Sequence, residues 1–252
     1  MADGPAAMAQ FYGPAGMALD ASGALYVADM YNHRIRKIAR VTHGVCGGKQ
    51  GYTGFCVTTI AGSSSGFQDG PARKGQLSAP IDVAVTQAGT IYVADHWNHA
   101  IRKIEQVKNG DCGASKGYTG LCLTTLAGNG HIGLTNGVGT NARFWHPSGL
   151  LWDETKQRLY VADRGNHVIR VCDTKGLVST LAGGGGAGYA NGVGTAVLFN
   201  HPHDLSFGRG GKILIVELGN HVIRELDAMG KVGLFAGTPR RFGSANGGSL
   251  QA

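Results

Sequence analysis

Short runs in which apolar and polar positions alternate recur along the chain. Leu25-Tyr26-Val27-Ala28-Asp29 precedes Ile35-Arg36-Lys37-Ile38, and Ile91-Tyr92-Val93-Ala94-Asp95 precedes Ile101-Arg102-Lys103-Ile104. The third copy is Leu159 to Asp163 before Ile169-Arg170-Val171-Cys172, and the fourth is Ile213 to Glu217 before Ile223-Arg224-Glu225-Leu226. A period of two over four to six residues predicts half-buried strands. A proline-led apolar segment precedes each copy (Pro14, Pro80, Pro147, Pro202), and a run ending in Ala-Gly follows it (Gly62, Gly128, Gly183, Gly237). Glycine-rich stretches with Asp69-Gly70, Asn136-Gly137 and Asn191-Gly192 lead into the next proline. About four strands per repeat are predicted, in an all-β chain of four-stranded antiparallel units. The units fall at about 14–62, 80–128, 147–183 and 202–237, within one domain of residues 1–252. Such a unit leaves its own faces bare, so neighbours must stack for any of them to be stable.

Between the paired runs lies a polar set: Asp29, Asn32, His33; Asp95, Asn98, His99; Asp163, Asn166, His167; Glu217, Asn220, His221. Units of this length are the signature of β-propeller blades. The stretches Tyr-Val-Ala-Asp-x-x-Asn-His-x-Ile-Arg resemble NHL repeats, with Arg34, Ala100, Val168 and Val222 after the histidine. The resemblance covers the whole chain and implies a β-propeller, usually of six blades. Four complete units run from the Ala2-Asp3-Gly4 turn to Ser244-Ala245-Asn246-Gly247. Three arrangements stay open: part of a six-bladed propeller, a closed four-bladed ring, or an open arc that associates with itself or is completed by further blades.

Composition narrows the class. Glycine contributes 43 of 252 residues, charged residues 15% and hydrophobic residues 42%. Charge this low and apolar content this high exclude a disordered polyelectrolyte, and glycine this frequent without a triplet excludes a coiled coil and a collagen. No apolar run reaches the ~18–20 residues of a membrane span, and no signal-peptide core follows Met1. A net charge of +7 permits nucleic acid or an acidic partner. Arg36, Arg102, Arg170 and Arg224 occupy one equivalent position per unit, so they are expected around the rim, in salt bridges between blades. Arg34, Arg36, Lys37, Arg102 and Lys103 make the best basic strip for RNA, which NHL resemblance admits.

Four dispersed copies of Asp-x-x-Asn-His point to a framework. The Asp and Asn are expected to cap a tight turn and to tolerate left-handed backbone. The His is expected to start the next strand and bridge blades, and Glu217 to make the fourth turn the least regular. Cys46 and Cys56, like Cys112 and Cys122, flank an insertion in the first two repeats only. A local disulfide in each fits this paired gain and loss, with zinc spacing absent. Cys172 aligns with Ile38, Ile104 and Leu226 and is expected as a buried thiol. Two disulfides predict an extracellular or secretory-lumen setting; reduced cysteines would mean the cytoplasm.

Residues flanking each proline vary from repeat to repeat, and variation on a fixed scaffold is where specificity is expected. Tyr12, Asp82, Trp145, His146, His201, His203 and Asp204 are the candidate partner-binding residues. Tyr52 and Tyr118 form a second candidate surface, unless they pack on their own hairpins. No catalytic motif is visible, and no cofactor is expected. His146, His201 and His203 are weak candidates for zinc, with calcium a further option, since distantly similar propeller lyases use an axial metal. The reading is a non-catalytic binding or assembly module for a protein or glycan partner. The alternatives are a metal-dependent hydrolase or lyase and an RNA-binding NHL domain.

Overall fold

The computed structural model describes residues 2–244; the predicted turn at Ser244–Gly247 falls largely outside them. The described residues form four five-stranded antiparallel sheets, each made from one contiguous stretch of chain. Blade 1 comprises β1 (Gly4–Pro5), β2 (Pro14–Leu19), β3 (Leu25–Asp29), β4 (Arg34–Cys46) and β5 (Lys49–Ala61). Blade 2 comprises β6 (Gly70–Pro71), β7 (Pro80–Val85), β8 (Ile91–Asp95), β9 (Ala100–Cys112) and β10 (Ser115–Ala127). Blade 3 comprises β11 (Gly137–Val138), β12 (Pro147–Asp153), β13 (Arg158–Asp163), β14 (Val168–Asp173) and β15 (Leu177–Ala182). Blade 4 comprises β16 (Gly192–Val193), β17 (Pro202–Phe207), β18 (Ile213–Glu217), β19 (Val222–Leu226) and β20 (Lys231–Ala236).

The fold class is the all-β propeller. The four strands expected in each repeat are present, and a fifth of two residues joins each sheet. In blade 1 the order is β1-β5-β4-β3-β2, so the Gly-Pro pair lines the outer edge while the proline-led strand lies at the opposite edge. The fifth strand comes from the glycine-rich stretch, which lacks the apolar alternation that marks the others.

The chain divides after Leu126 into two compact units of two blades each. In the first, Tyr26, Ala28 and Ile35 of blade 1 pack against Val83, Ile91 and Val93 of blade 2. In the second, Tyr160, Ala162 and Ile169 pack against Leu205, Ile213 and Ile215. Alternate residues of each strand serve opposite faces, so one blade contributes separate sets to its two sides. Close approach fixes a glycine in each unit: a Cβ on Gly16 would meet Asp82 Cα at 2.7 Å, and one on Gly149 would meet Asp204 Cα at 2.6 Å.

The insertions do not extend the rim, as a pair of straight hairpins would. In blade 1 the β4–β5 hairpin turns back on itself: Ala39 pairs with Cys56 across the ladder, yet Cys46 near the tip is bonded to that same Cys56. The tip comes to rest on β1, where a Cβ on Gly47 would stand 2.7 Å from Gly4 Cα. Blade 2 repeats this with Cys112–Cys122, and a Cβ on Gly113 would stand 3.0 Å from Gly70 Cα. Each disulfide thus holds a flap over an outer edge strand, where exposed backbone groups invite strand pairing. Tyr52 and Tyr118 donate their hydroxyls to Phe55 O and Leu121 O, at 3.2 and 3.3 Å, so both lie on their own hairpins.

Candidate binding site

The repeated polar residues build one arrangement in every blade. In blade 1, Asp29 Oδ2 accepts from Asn32 Nδ2 at 2.9 Å and from Arg36 Nη1 at 2.7 Å. Arg36 Nη2 also donates to Asp3 Oδ1 at 2.8 Å, beside β1. Blade 2 places Arg102 between Asp95 (2.7 Å) and Asp69 (2.6 Å). In blades 3 and 4 the outer partner is an amide oxygen: Asn136 for Arg170 (2.8 Å) and Asn191 for Arg224 (2.7 Å). The inner partners there are Asp163 and Glu217, each at 2.8 Å. All four arginines are wholly buried, and each guanidinium lies 4.5–5.2 Å from an aromatic ring: Phe11, Phe67, Phe144 and Tyr189.

This corrects the expected placement of the arginines. They sit inside the blades and pair within their own blade. The basic strip proposed for RNA therefore loses Arg36 and Arg102, whose charges are spent on buried carboxylates. Burial drives the carboxyls of Asp95 and Asp163 upward, to about 6, against the opposing pull of Arg102 and Arg170 and of their hydrogen-bond donors. Burial likewise raises Glu217.

The second oxygen of each carboxylate points to the variable loop. Asp29 Oδ1 accepts from Tyr12 N at 2.7 Å, Asp95 Oδ1 from Ser78 N at 2.6 Å and Asp163 Oδ1 from Trp145 N at 2.8 Å. Glu217 Oε2 accepts from Asn200 N at 2.8 Å. The carbonyl of the same residue is held as well: Tyr31 N donates to Tyr12 O, Trp97 N to Ser78 O, Gly165 N to Trp145 O and Gly219 N to Asn200 O. The residue two before each proline is thus gripped at both backbone groups, by a buried carboxylate and by the turn that follows the second strand after it. In blades 1 and 3 its side chain is left to the surface, Tyr12 at 64% and Trp145 at 40% exposure, whereas Ser78 of blade 2 is buried.

The turn adds residues that the sequence reading missed. Tyr31 and Trp97, at 45% and 50% exposure, stand beside the gripped residues, and the Tyr12 and Tyr31 ring centroids are 5.0 Å apart. Both occupy the variable pair inside Asp-x-x-Asn-His. The same signal that singled out the proline loops, variation at a fixed position, was present there. In blade 3 this position is Gly165, and a Cβ there would stand 2.5 Å from the Trp145 ring, so the indole lies over it.

The left-handed residue in each turn is the histidine, with φ of 56° at His33, 51° at His99, 58° at His167 and 57° at His221. The aspartate and asparagine instead spend their side chains on the ion-pair cluster. His33 Nδ1 accepts from Ala79 N of blade 2 at 3.1 Å, and His167 Nδ1 accepts from His201 N of blade 4 at 3.1 Å. Burial lowers both imidazoles, aided by Arg34 at His33 and by His201 at His167. The fourth turn, Leu218 to His221, lacks the 3-10 segment of the other three, and Glu217 reaches the same donors through its longer side chain.

The remaining candidates are scattered among several roles. His146 and His201 adopt left-handed backbone before their prolines, with φ of 51° and 52°. His201 Nδ1 lies 2.8 Å from Asn200 Oδ1, and its ring stands edge-on to His167 at 4.6 Å. The backbone oxygen of His203 accepts from Ser148 Oγ at 2.8 Å, and burial and the Arg164 cation lower its imidazole. Asp82 and Asp204 each accept from the next backbone N–H at 2.8 Å, where the strand bulges after its proline. Among the described residues no three His, Cys, Asp or Glu side chains gather as a metal-ligand set, His146, His201 and His203 included. No helix among them is long and apolar enough to cross a membrane.

The four sheets, each with a buried carboxylate–arginine pair, are NHL-type repeats in a propeller arrangement. Residues 2–105 match the family model of the teneurin NHL domain. The chain is similar to NHL repeat-containing protein 2 of Bos taurus, 44% identical over 101 residues, which are 38% of this chain and only 14% of that protein. An auxiliary nutrient binding protein from Bacteroides ovatus shares the fold with a TM-score of 0.61 at 19% identity, over 86% of this chain and 49% of that one. Virginiamycin B lyase from Staphylococcus aureus does so with a TM-score of 0.53 at 12% identity, over 90% and 56%. At these identities the likeness shows the fold alone.

Proposed function

We propose that this chain is a non-catalytic binding module whose blades display variable side chains to a protein or glycan partner. One observation carries the reading: the carboxylate of each blade holds the backbone N–H of Tyr12, Ser78, Trp145 or Asn200. The polar residues that tempt a catalytic reading are thereby consumed in presenting others. Exposed aromatics supply contact area at low entropic cost, and a few such anchors carry most of the energy of an interface. The two disulfides favour an extracellular or secretory-lumen setting for this module.

The test takes the intact chain and its Tyr12→Ala, Trp97→Ala and Trp145→Ala variants to glycan arrays and to a panel of purified extracellular proteins. A ligand retained by the parent and weakened at least about tenfold by one substitution, with the melting temperature unchanged, is the expected result. Equal affinity across all three variants would overturn the reading.

A further inference from the structure

The flap of blade 2 makes something that the aromatic display does not use. Where it turns back, Tyr118 and Leu121 face strand β5 of blade 1, and a cleft of about 470 Å³ lies between them. Ile60 of β5 and Pro71 of β6 complete its apolar walls. The volume falls in the ~300–1,000 Å³ range of small-molecule pockets. Two cations stand at its edge: Arg73, whose side chain is 70% exposed, and Lys74.

Those cations have little to neutralise them. Arg73 lies 3.7 Å from Asp3, but Asp3 is already engaged by Arg36 at 2.8 Å and by Thr59 through N and Oγ1 at 2.9 and 2.8 Å. Lys74 makes no ion pair among the described residues. The cleft therefore combines an apolar interior with unspent positive charge at the mouth. Blades 3 and 4 have six-residue or shorter strands in place of the long hairpin, so neither supplies a wall like the Tyr118 flap.

We infer that the cleft between β5 and the blade 2 flap binds a small amphiphilic carboxylate, with the apolar body against Ile60, Pro71 and Leu121 and the anion at Arg73 and Lys74. The chemistry follows from the lining. An apolar body leaves water at little cost, and the carboxylate exchanges part of its hydration for charge-assisted hydrogen bonds from arginine and lysine. A neutral molecule of the same shape keeps the first gain and lacks the second. An inorganic anion has the second and lacks the first.

Calorimetric titration of the intact, disulfide-bonded chain with octanoate, with octanol as the neutral counterpart, tests the assignment. Octanoate is expected to bind with a dissociation constant of about 1 mM or tighter, and octanol at least about tenfold more weakly. Arg73→Glu with Lys74→Glu should abolish the octanoate preference. Leu121→Trp should fill the cleft and block both ligands, and the parent melting temperature in both variants would show that the fold is intact. No octanoate binding in this range, equal binding of octanoate and octanol, or unaltered binding by the double variant would overturn the inference. None of these outcomes bears on Tyr12, Trp97 or Trp145, so failure here is separable from failure of the display.

Discussion

The buried carboxylate of Asp163 accepts the backbone N–H of Trp145 at 2.8 Å while its other oxygen holds Arg170 Nη1 at the same distance. A single residue thereby ties the interior of the blade to the side chain displayed at its edge. Its loss should be felt in both places.

Asp163→Ala leaves the Arg170 guanidinium buried without its carboxylate and frees the Trp145 N–H. Breaking a buried ion pair from one side costs about 3–5 kcal/mol, because the remaining charge stays desolvated. The urea midpoint should fall accordingly. Replacing both residues, Asp163→Leu with Arg170→Met, should cost less than the single change. A double variant that is less stable than Asp163→Ala would show that the pair stabilises beyond mutual neutralisation.

Acid should loosen the blade junctions through His33 and His167. Each Nδ1 accepts a backbone N–H from the next blade, which an imidazolium cannot do. Burial lowers both side chains below the ordinary histidine value, so the unfolded chain takes up protons first as pH falls. Stability should be flat above about pH 6.5 and decline below it until the folded-state values are passed. His33→Asn with His167→Asn should flatten this part of the profile in denaturant titrations from pH 7.5 to 5. An unchanged slope in that variant would place the acid sensitivity elsewhere.

Much of the architecture was legible because apolar alternation survives in all four copies, from Leu25–Asp29 to Ile213–Glu217. Gly4–Pro5 and its equivalents were not, since two residues of glycine and proline or valine carry no period. The arginines were misplaced for a different reason. A guanidinium is normally excluded from an interior, and Arg36 enters only because Asp29 and Asp3 arrive from opposite sides of the blade. Their sequence separations from Arg36 recur in blade 2, at Asp95 and Asp69, so the signal lay in that spacing. The flap could not be read at all: cysteine spacing is compatible with a straight hairpin, and the reversal is seen only in the Cys46–Cys56 bond beside Ala39 and the approach of Gly47 to Gly4.

Thiol counting separates the three kinds of cysteine. Cys172 is buried, and burial together with Asp173 pushes its thiol up to about 12, leaving almost no thiolate at neutral pH. Iodoacetamide should label no cysteine in the native chain, one after denaturation, and five after denaturation with reductant. Reduction should raise the mass by four hydrogens. It should also release the flaps from Gly4 and Gly70, at a cost somewhat under about 3 kcal/mol for each small loop. Five reactive thiols before reduction would contradict the pairing.

The contact of Gly16 with Asp82 offers the sharpest test of how blades approach one another. A Cβ at Gly16 would meet Asp82 Cα at 2.7 Å, as well as the carboxylate. Trimming the partner, as in Asp82→Ala, leaves that backbone atom in place. Gly16→Ala should therefore destabilise the first unit by about 1–3 kcal/mol, the usual cost of overpacking, and Asp82→Ala should not restore it. Gly149→Ala should do the same in the second unit, where Asp204 Cα stands at 2.6 Å. Gly233→Ala is the control: like Gly16 it has no left-handed φ, and no atom lies within 4 Å of the added methyl. Thermal melts of the four variants would decide the matter. If Gly16→Ala cost no more than Gly233→Ala, or if Asp82→Ala rescued it, side-chain crowding rather than backbone proximity would set the distance between blades.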